Sequence, residues 1–249
     1  MVNEKNVFIR YSPNHNERPP VPVELLVFHY TGMIDGTSAL ERLCDGDSQV
    51  SAHYMVEGDG QICLLVEEDR RAWHAGVGQW QSWDNINDIS IGIEIVNPGH
   101  EHGYRAFPHV QMEAVLGLAR DIMQRHDLCA HAVVGHSDIA PMRKQDPGEL
   151  FPWQWFAQHG VGVWHDVAPY IKDALESCVM TPEEIQALRA VGYGIEASAA
   201  PEQLSAVMAA FQRRFRPHLV SGYWDNECRA CLDGLVNQKN NPLLKGGLG

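Results

Sequence analysis

Four isoleucines alternate with small or polar residues between Ile89 and Val96, and this spacing constrains the fold of the 249-residue chain more than any other segment. Successive side chains of a β-strand point to opposite faces, which places the isoleucines together on one face. Glu94 lies on the other face, next to Gly92. Because Glu94 is the single charged residue in this run, we expect a buried strand that carries one carboxylate.

The buried position of Glu94 admits two interpretations. A buried carboxylate without a partner is energetically costly, so the first interpretation is an ion pair within the core. The second is a general base, because burial raises the pKa of a carboxyl group. Gly92 adds no side chain beside Glu94 and would leave open space for a substrate. We favour the general base for this reason.

A second apolar run, Leu25–Phe28, predicts another short strand, which ends at the segment Tyr30-Thr31-Gly32. His29 therefore lies at the carboxyl end of a strand, where functional side chains of α/β sheets commonly lie. This position suits a metal ligand. The alternative is a packed or exposed histidine, since the chain contains 13 histidines.

The segment after the apolar run Ala132–Val134 concentrates an imidazole, an amine and a carboxylate. His136 follows the predicted strand, and Asp146 comes ten positions later, across a connection rich in turn-forming residues. With His29 they form a set of two histidines and one carboxylate, which leaves the fourth position of a Zn²⁺ ion open, as in catalytic sites. Lys144 adds a positive charge that can stabilise an oxyanion.

The rest of the N-terminal part follows from its periodicity. Residues 53–56 and 62–66 flank a glycine-rich turn and predict a β-hairpin. Residues 109–126 repeat apolar positions at helical spacing and predict an amphipathic helix that covers the sheet. Residues 76–89 show no clear period, and we expect a loop near the cleft. Its two tryptophans either stack on a sugar ring or are buried against the domain.

Beyond about residue 170 the pattern becomes helical. Residues 181–184 are typical of a helix start, with Thr as the N-cap, Pro at the first position and Glu completing a capping box. A second helix carries an apolar stripe to Phe215, and a third begins at about Asp225. We expect these three helices to form a module with its own small core, and the tail 237–249 to be frayed.

Charge and composition limit the possible partners. The chain has 19 basic and 32 acidic residues and a formal net charge of −13, which argues against nucleic acid. No apolar run approaches the length of a transmembrane segment, and the N-terminus shows no secretory signal. Cys228 and Cys231 form a close pair, but without a second pair of ligands they predict core packing rather than a zinc knuckle.

Five segments resemble, in order, the motifs of the zinc-dependent N-acetylmuramoyl-L-alanine amidases, the family related to phage amidase lysozymes and to peptidoglycan recognition proteins. They are FHYT, SAHYMV, DRRAWHAG, NDISIGIEIVN and GHSDIAPMRKQDPG, all within residues 8–156. The resemblance implies an α/β catalytic domain over residues 1–174, with a mixed central β-sheet flanked by helices. Residues 175–249 resemble the small three-helix, peptidoglycan-binding-like domain of the periplasmic members.

Residue by residue, the resemblance makes His29, His136 and Asp146 the ligands of one zinc ion per chain. Glu94 matches the general base of the family. Lys144 matches the cation that stabilises the oxyanion or orients the substrate.

Four further residues match the substrate side of the cleft. Tyr30 and Thr31, directly after the first ligand, match positions that contact substrate. Trp73 and His74 match a segment beside the cleft. For His74, a direct contact with substrate and packing of the cleft wall are both open.

The resemblance implies hydrolysis of the amide that joins N-acetylmuramic acid, including its 1,6-anhydro form, to L-alanine of the stem peptide in peptidoglycan or muropeptides. Two alternatives are a recognition module that binds peptidoglycan without cleaving it and a secreted antibacterial amidase effector. The intact set of metal ligands argues against the recognition module. The helical module favours a periplasmic or secreted location over a cytoplasmic one.

Overall fold

A mixed β-sheet organises the computed structural model, which describes residues 7–167 and 180–240. The strands are β1 Val7–Ile9, β2 His15–Glu17, β3 Leu25–Tyr30, β4 Tyr54–Val56, β5 Ile62–Leu64, β6 Arg70–Ala72, β7 Ser90–Ile95 and β8 Val133–Gly135. The main sheet has six strands in the order β1-β5-β4-β7-β3-β8, and β2 pairs with β6 separately. Within the main sheet β4 and β5 are antiparallel, and the other neighbours are parallel.

Helices cover both faces of this sheet. They are α1 Gly36–Cys44, α2 His109–His126, α3 His136–Ile139, α4 Trp153–Gln158, α5 Pro182–Val191, α6 Pro201–Phe215 and α7 Asn226–Asn240. The predicted α/β class, the hairpin and the helix over 109–126 are confirmed. No helix in the described ranges is long and apolar enough to cross a membrane.

The central strands β3 and β7 place the candidate residues side by side. Their parallel register pairs His29 with Glu94, so both side chains project from the same face at the carboxyl ends of the strands. Both strands are buried almost throughout, which explains their apolar sequences.

The predicted isoleucine face is correct for three of its four members. Ile91, Ile93 and Ile95 pack in one cluster with the apolar side of α2. Ile89 packs in the other large cluster, because β7 begins only at Ser90 and the backbone at Ile89 is not extended (φ −116°, ψ 10°). Alternation holds only where the backbone is a strand.

The three C-terminal helices do not form a core of their own, so that prediction is wrong. Phe211 and Phe215 of α6 belong to one continuous cluster with Leu25 and Val27 of β3 and Val134 of β8. Helix α2 packs on the opposite face of the sheet. The helices thus bury the second face of the main sheet, which would otherwise expose its aliphatic side chains.

The predicted ends of these helices are mostly correct. The Thr181 N–H donates to the Glu184 carboxylate at 2.7 Å and the Glu184 N–H donates to the Thr181 hydroxyl at 3.2 Å, so the capping box that starts α5 is present. Helix α6 ends at Phe215, before Pro217. Helix α7 continues to Asn240, so the predicted fraying from residue 237 is wrong up to that point. The boundary at 174 and the tail 241–249 lie outside the described residues.

The loop before β7 is held by its tryptophans. Trp80 is buried and meets Tyr193 edge to face, at 5.2 Å between ring centroids. The Trp83 indole N–H donates to the Glu24 carboxylate at 2.8 Å. Burial against the domain is therefore the correct alternative for Trp80, which contacts the helical module rather than a cleft. Cys228 and Cys231 are buried in the same core, as predicted.

Candidate active site

Three buried side chains meet at the carboxyl ends of β3 and β8. His29 Nδ1 lies 2.9 Å from His136 Nδ1 and 3.1 Å from Asp146 Oδ2. His136 Nδ1 lies 2.9 Å from the same Asp146 oxygen. The structure thus brings together all three residues that the sequence predicts as metal ligands.

Neighbouring elements fix the positions of these three residues. His29 is the penultimate residue of β3, and His136 begins α3 directly after β8, the strand next to β3. Asp146 lies ten residues further on, and its backbone carbonyl accepts a hydrogen bond from the Ser137 N–H at 2.8 Å. The loop is thereby tied back to the start of α3, so the carboxylate faces the two imidazoles.

The hydrogen bonds around His136 determine which ring nitrogen carries its proton. Its Nε2 lies 3.0 Å from the Ala75 carbonyl, which can only accept. Nε2 therefore carries the hydrogen, and in the neutral ring Nδ1 presents a lone pair toward Asp146 and His29.

A longer chain of hydrogen bonds gives the same result for His29. The Ser90 hydroxyl donates to the Ile86 carbonyl at 2.6 Å, so its oxygen accepts from His74 Nε2 at 3.1 Å. His74 Nδ1 then accepts from His29 Nε2 at 3.0 Å, because burial lowers the pKa of His74 and keeps its ring neutral. His29 Nδ1 therefore carries no hydrogen and presents a lone pair, as His136 Nδ1 does.

His74 thus supports His29 through a hydrogen bond and also lies in the wall of the active-site cavity. Both of its ring nitrogens are bonded, which supports packing of the cleft wall over direct contact. A Cβ atom at Gly92 would lie 2.5 Å from His74 Cγ. The expected open space beside Gly92 is thus filled by this imidazole, and glycine is needed there for the ring of His74 to fit.

The donor set fits a zinc ion. Three lone-pair donors that face one another repel unless a cation lies between them. Their separations of 2.9–3.1 Å are close to the edge of about 3.3 Å that bonds of 2.0–2.1 Å give in a tetrahedron. The two imidazoles hold the pKa of Asp146 far below its usual value, and burial lowers the pKa of His29 to about 4. The Asp146 carboxylate and the neutral imidazole of His29 are therefore ready to bind a metal at neutral pH, and His136 directs the lone pair of its Nδ1 to the same point.

Glu94 adds an unpaired carboxyl group next to this set. Its Oε2 atom is buried and has no hydrogen-bond partner among the described residues, so the alternative of a core ion pair is not supported. Burial raises the pKa of Glu94 well above the usual range, and the negative charge of Asp146 raises it further, while Lys144 opposes both effects. A carboxylate whose pKa is raised is a stronger base than a solvated glutamate, which suits it to take a proton from water.

A cavity of about 320 Å³ opens over the site, and it is bounded by predicted substrate residues. Tyr30, Thr31, Trp73 and Lys144 lie in its wall with Glu94. The Tyr30 hydroxyl is 2.9 Å from His100 Nδ1, the Thr31 hydroxyl donates to the Asn97 carbonyl at 3.2 Å, and the Trp73 indole donates to Asn16 at 2.8 Å. These bonds hold the polar groups of the cleft rim in place.

A buried ion pair that the sequence did not predict lies below the site. Asp138, two residues after His136, accepts hydrogen bonds from the Arg214 guanidinium at 2.7 Å, the Tyr193 hydroxyl at 2.7 Å and the Gly135 N–H at 2.8 Å. Arg214 also donates to the Val133 carbonyl at 2.8 Å. Arg214 thus joins the helical module to both β8 and α3 by hydrogen bonds. Asp138 at the third position of a helix after Gly135 was a capping signal, but nothing in the sequence indicated Arg214.

Two imidazoles and a carboxylate around one point, beside a half-buried glutamate, define a class of protein: hydrolases that activate water. The comparisons identify the family. The sequence pattern of N-acetylmuramoyl-L-alanine amidase matches residues 19–149, and the chain belongs to this family of amidases.

Two relatives from Escherichia coli match the chain to different extents. N-acetylmuramoyl-L-alanine amidase AmiD of Escherichia coli is 38% identical over 232 residues, which cover 87% of this chain and 83% of AmiD. The 1,6-anhydro-N-acetylmuramyl-L-alanine amidase AmpD of Escherichia coli is 40% identical over 108 residues, 43% of this chain and 57% of AmpD.

Solved structures show the same fold. The complex of Escherichia coli AmiD with anhydro-N-acetylmuramic acid-L-Ala-D-gamma-Glu-L-Lys has a TM-score of 0.78 and 36% identity, and covers 92% of this chain and 93% of AmiD. AmpDh3 of Pseudomonas aeruginosa in complex with anhydromuramic pentapeptide has a TM-score of 0.76 and 32% identity, and covers 92% of this chain and 96% of AmpDh3. Both similarities extend over the C-terminal helices.

Proposed function

We propose that the chain is a zinc-dependent amidase that cleaves the amide between N-acetylmuramic acid and L-alanine of the stem peptide. One zinc ion would be held by His29, His136 and Asp146. The observation that carries the proposal is the convergence of three lone-pair donors within 3.1 Å of one another, beside Glu94, whose buried Oε2 atom has no hydrogen-bond partner among the described residues. A binding module needs neither the donors nor the base.

The residues of the chain divide the reaction between them. A zinc ion held by His29, His136 and Asp146 would supply Lewis acidity for the activation of water and of the scissile carbonyl. Glu94 accepts a proton from a water molecule as the oxygen of that water attacks the carbonyl carbon. Glu94 then passes the proton to the alanine nitrogen as the C–N bond breaks. Lys144, in the cleft wall, stabilises the negative charge on the carbonyl oxygen.

We propose muropeptides, including the 1,6-anhydro form, as substrates. AmiD is bound to an anhydro-N-acetylmuramic acid tripeptide and AmpDh3 to an anhydromuramic pentapeptide in the matched structures. Tyr30, Thr31 and Trp73 would contact the substrate, because they line the cavity that opens over Glu94.

We further propose that residues 1–174 carry the catalysis, and that residues 175–249 form a peptidoglycan-binding-like module. A periplasmic or secreted location fits a substrate in the cell wall. The shared helices support this assignment: the AmiD and AmpDh3 structures match 92% of this chain, whereas an AmpD structure matches 64%. Cell fractionation of the native host, with antibodies to the chain, tests the location.

The variant Glu94→Gln tests the proposed reaction. The amide preserves the shape of the side chain but cannot act as the base, so zinc content should remain one per chain. Turnover of an anhydro-muropeptide, measured as free stem peptide by mass spectrometry, should fall by about 10²–10⁴. His126→Gln, on the far end of α2, is the control and should keep full turnover.

Two results would contradict the proposal. Near-normal turnover by Glu94→Gln would place the base elsewhere. Full activity of the wild type after verified metal removal would exclude a zinc mechanism. Binding of muropeptides without any release of stem peptide would instead support a recognition module.

A further inference from the structure

A second groove adjoins the active-site cavity on the other side of the segment Arg143–Gln145. Arg143, Lys144 and Gln145 line both cavities, so this three-residue segment separates the groove from the cleft. The groove has a volume of about 390 Å³ and is bounded by helix α6 and by residues 220–222 of the helical module. It therefore lies where the catalytic domain and the module meet.

The charge of this groove is opposite to that of the whole chain. The protein has a formal net charge of −13, with 32 acidic residues. The charged residues that line the groove are Arg143, Lys144 and Arg213, and no carboxylate lies among its described lining residues. A concave surface lined by positive charges attracts anions locally, although the negative charge of the rest of the protein repels them.

Arg213 differs from the other arginines of the module. Arg189, Arg214, Arg216 and Arg229 each form an ion pair with a carboxylate. Arg213 is half-buried, and no hydrogen bond or ion pair within bonding distance joins it to a described residue. Loss of hydration lowers its pKa, while the negative charge of Glu149 and the hydroxyls of Tyr30 and Tyr104 at the cleft rim act in the opposite direction. Guanidinium groups in such surroundings normally have an anionic partner.

The other two cations of the groove are less free to provide this contact. Arg143 donates through Nε to the Val77 carbonyl at 2.8 Å and through Nη2 to the Ala75 carbonyl at 2.6 Å. Lys144 lines the cleft, and its positive charge opposes the rise in the pKa of Glu94. The guanidinium of Arg213 is therefore the group available to an anion that reaches the groove from the cleft.

We propose that the groove is a subsite for a carboxylate of the stem peptide, and that Arg213 is its principal ligand. The inference rests on the proposed function. The peptide bound to AmiD contains a γ-linked glutamate, and this linkage leaves the α-carboxylate of that residue free. That carboxylate belongs to the residue after the alanine, so an extended chain carries it roughly 7 Å beyond the scissile amide.

The subsite gives the helical module a role in substrate selection. A muropeptide whose peptide stops at alanine would not place a glutamate carboxylate in the groove. A muropeptide with the complete tripeptide would gain a charge-assisted hydrogen bond to Arg213. The enzyme should therefore prefer longer stem peptides, and the preference should depend on a residue of α6.

The test compares two substrates, anhydro-N-acetylmuramic acid-L-Ala and the same sugar with L-Ala-D-γ-Glu-L-Lys. For Arg213→Gln, the ratio of kcat/KM for the long substrate to that for the short one should fall about ten-fold, mainly through KM of the long substrate. Arg189→Gln is the matched control, because Arg189 is exposed on the same module and paired with Glu196. Its ratio should equal that of the wild type.

An unchanged ratio in Arg213→Gln would overturn the subsite, and so would an equal loss on both substrates with normal KM. If the wild type cleaves neither substrate, the proposed function fails, and calorimetric titration of free L-Ala-D-γ-Glu-L-Lys still tests the subsite. Weaker binding of that peptide by Arg213→Gln than by Arg189→Gln would support the subsite. Equal binding would refute it.

Discussion

Replacement of Arg214 by Met should destabilise the protein strongly, because this change leaves a carboxylate buried without its cation. The side chains of Arg214 and Asp138 are 3% and 1% exposed, and their charged atoms lie 2.7 Å apart. Removal of one partner from such a pair costs about 3–5 kcal/mol. That is a large share of the 5–15 kcal/mol by which folded domains are typically stable.

Urea unfolding of zinc-loaded protein, followed by circular dichroism, measures the loss. The matched control is Arg189→Met, since Arg189 and Glu196 are paired at 3.1 Å but are 51% and 69% exposed. An exposed pair contributes less than about 1 kcal/mol, so this control should unfold almost as the wild type does. The Arg214→Met variant should also bind zinc more weakly, because Asp138 lies in the same short helix as His136.

The reasoning would be refuted if Arg214→Met lost no more stability than Arg189→Met. The double variant Asp138→Asn, Arg214→Met gives a further check. It removes the stranded charge, so it should be more stable than Arg214→Met alone. A double variant that is less stable by the sum of both changes would mean that the two residues act independently.

Three further predictions concern the hydrogen bond to His29, the buried histidines and the core that the helical module shares with the sheet. His74→Ala should weaken zinc binding about 10–100-fold, measured by competition with a chelator, since it removes the acceptor of the His29 Nε2 hydrogen; unchanged affinity would show that the hydrogen bond does not orient the ligand. Burial lowers the pKa of His29 to about 4 and that of His53 to about 3, so the unfolded state binds more protons below about pH 6.5, and metal-free protein should lose about 2 kcal/mol per histidine by pH 5 in urea titrations. Stability that is flat from pH 7 to 5 would contradict this. Truncation after residue 174 should yield an insoluble or unfolded chain rather than an active domain, because it uncovers Val27 and Val134; a soluble, zinc-binding fragment would show that the shared core is dispensable.

The sequence was sufficient for the strands that position His29 and His136, and for the cluster of His29, His136 and Asp146 that could hold a metal ion. The isoleucine alternation predicts β7, and the apolar runs before His29 and His136 predict β3 and β8. Each of these signals is local, because a strand of six residues or fewer shows its pattern within its own length. The order of the strands then brings the two histidines together, which no local pattern reveals.

The contacts that support the site could not be predicted in the same way. His74 supports His29 across 45 positions of sequence, and Arg214 pairs with Asp138 across 76. Neither partner has a spacing that distinguishes it from other histidines or arginines of the chain. The space at Gly92 was misjudged for the same reason, since its occupant comes from a distant loop.

The helical module shows most clearly why a pattern leaves its partner undetermined. An apolar stripe on α6 is the same whether the helix packs on α5 and α7 or on a sheet, so the stripe predicts burial but not the surface that buries it. Arg213 and Arg214 are neighbours in the sequence, but successive helical residues differ by about 100° in direction. Arg214 consequently enters the core beside Asp138, whereas Arg213 faces the groove next to the cleft. Adjacent residues of the same type therefore have different functions, one as a structural anchor and one as the proposed ligand for substrate.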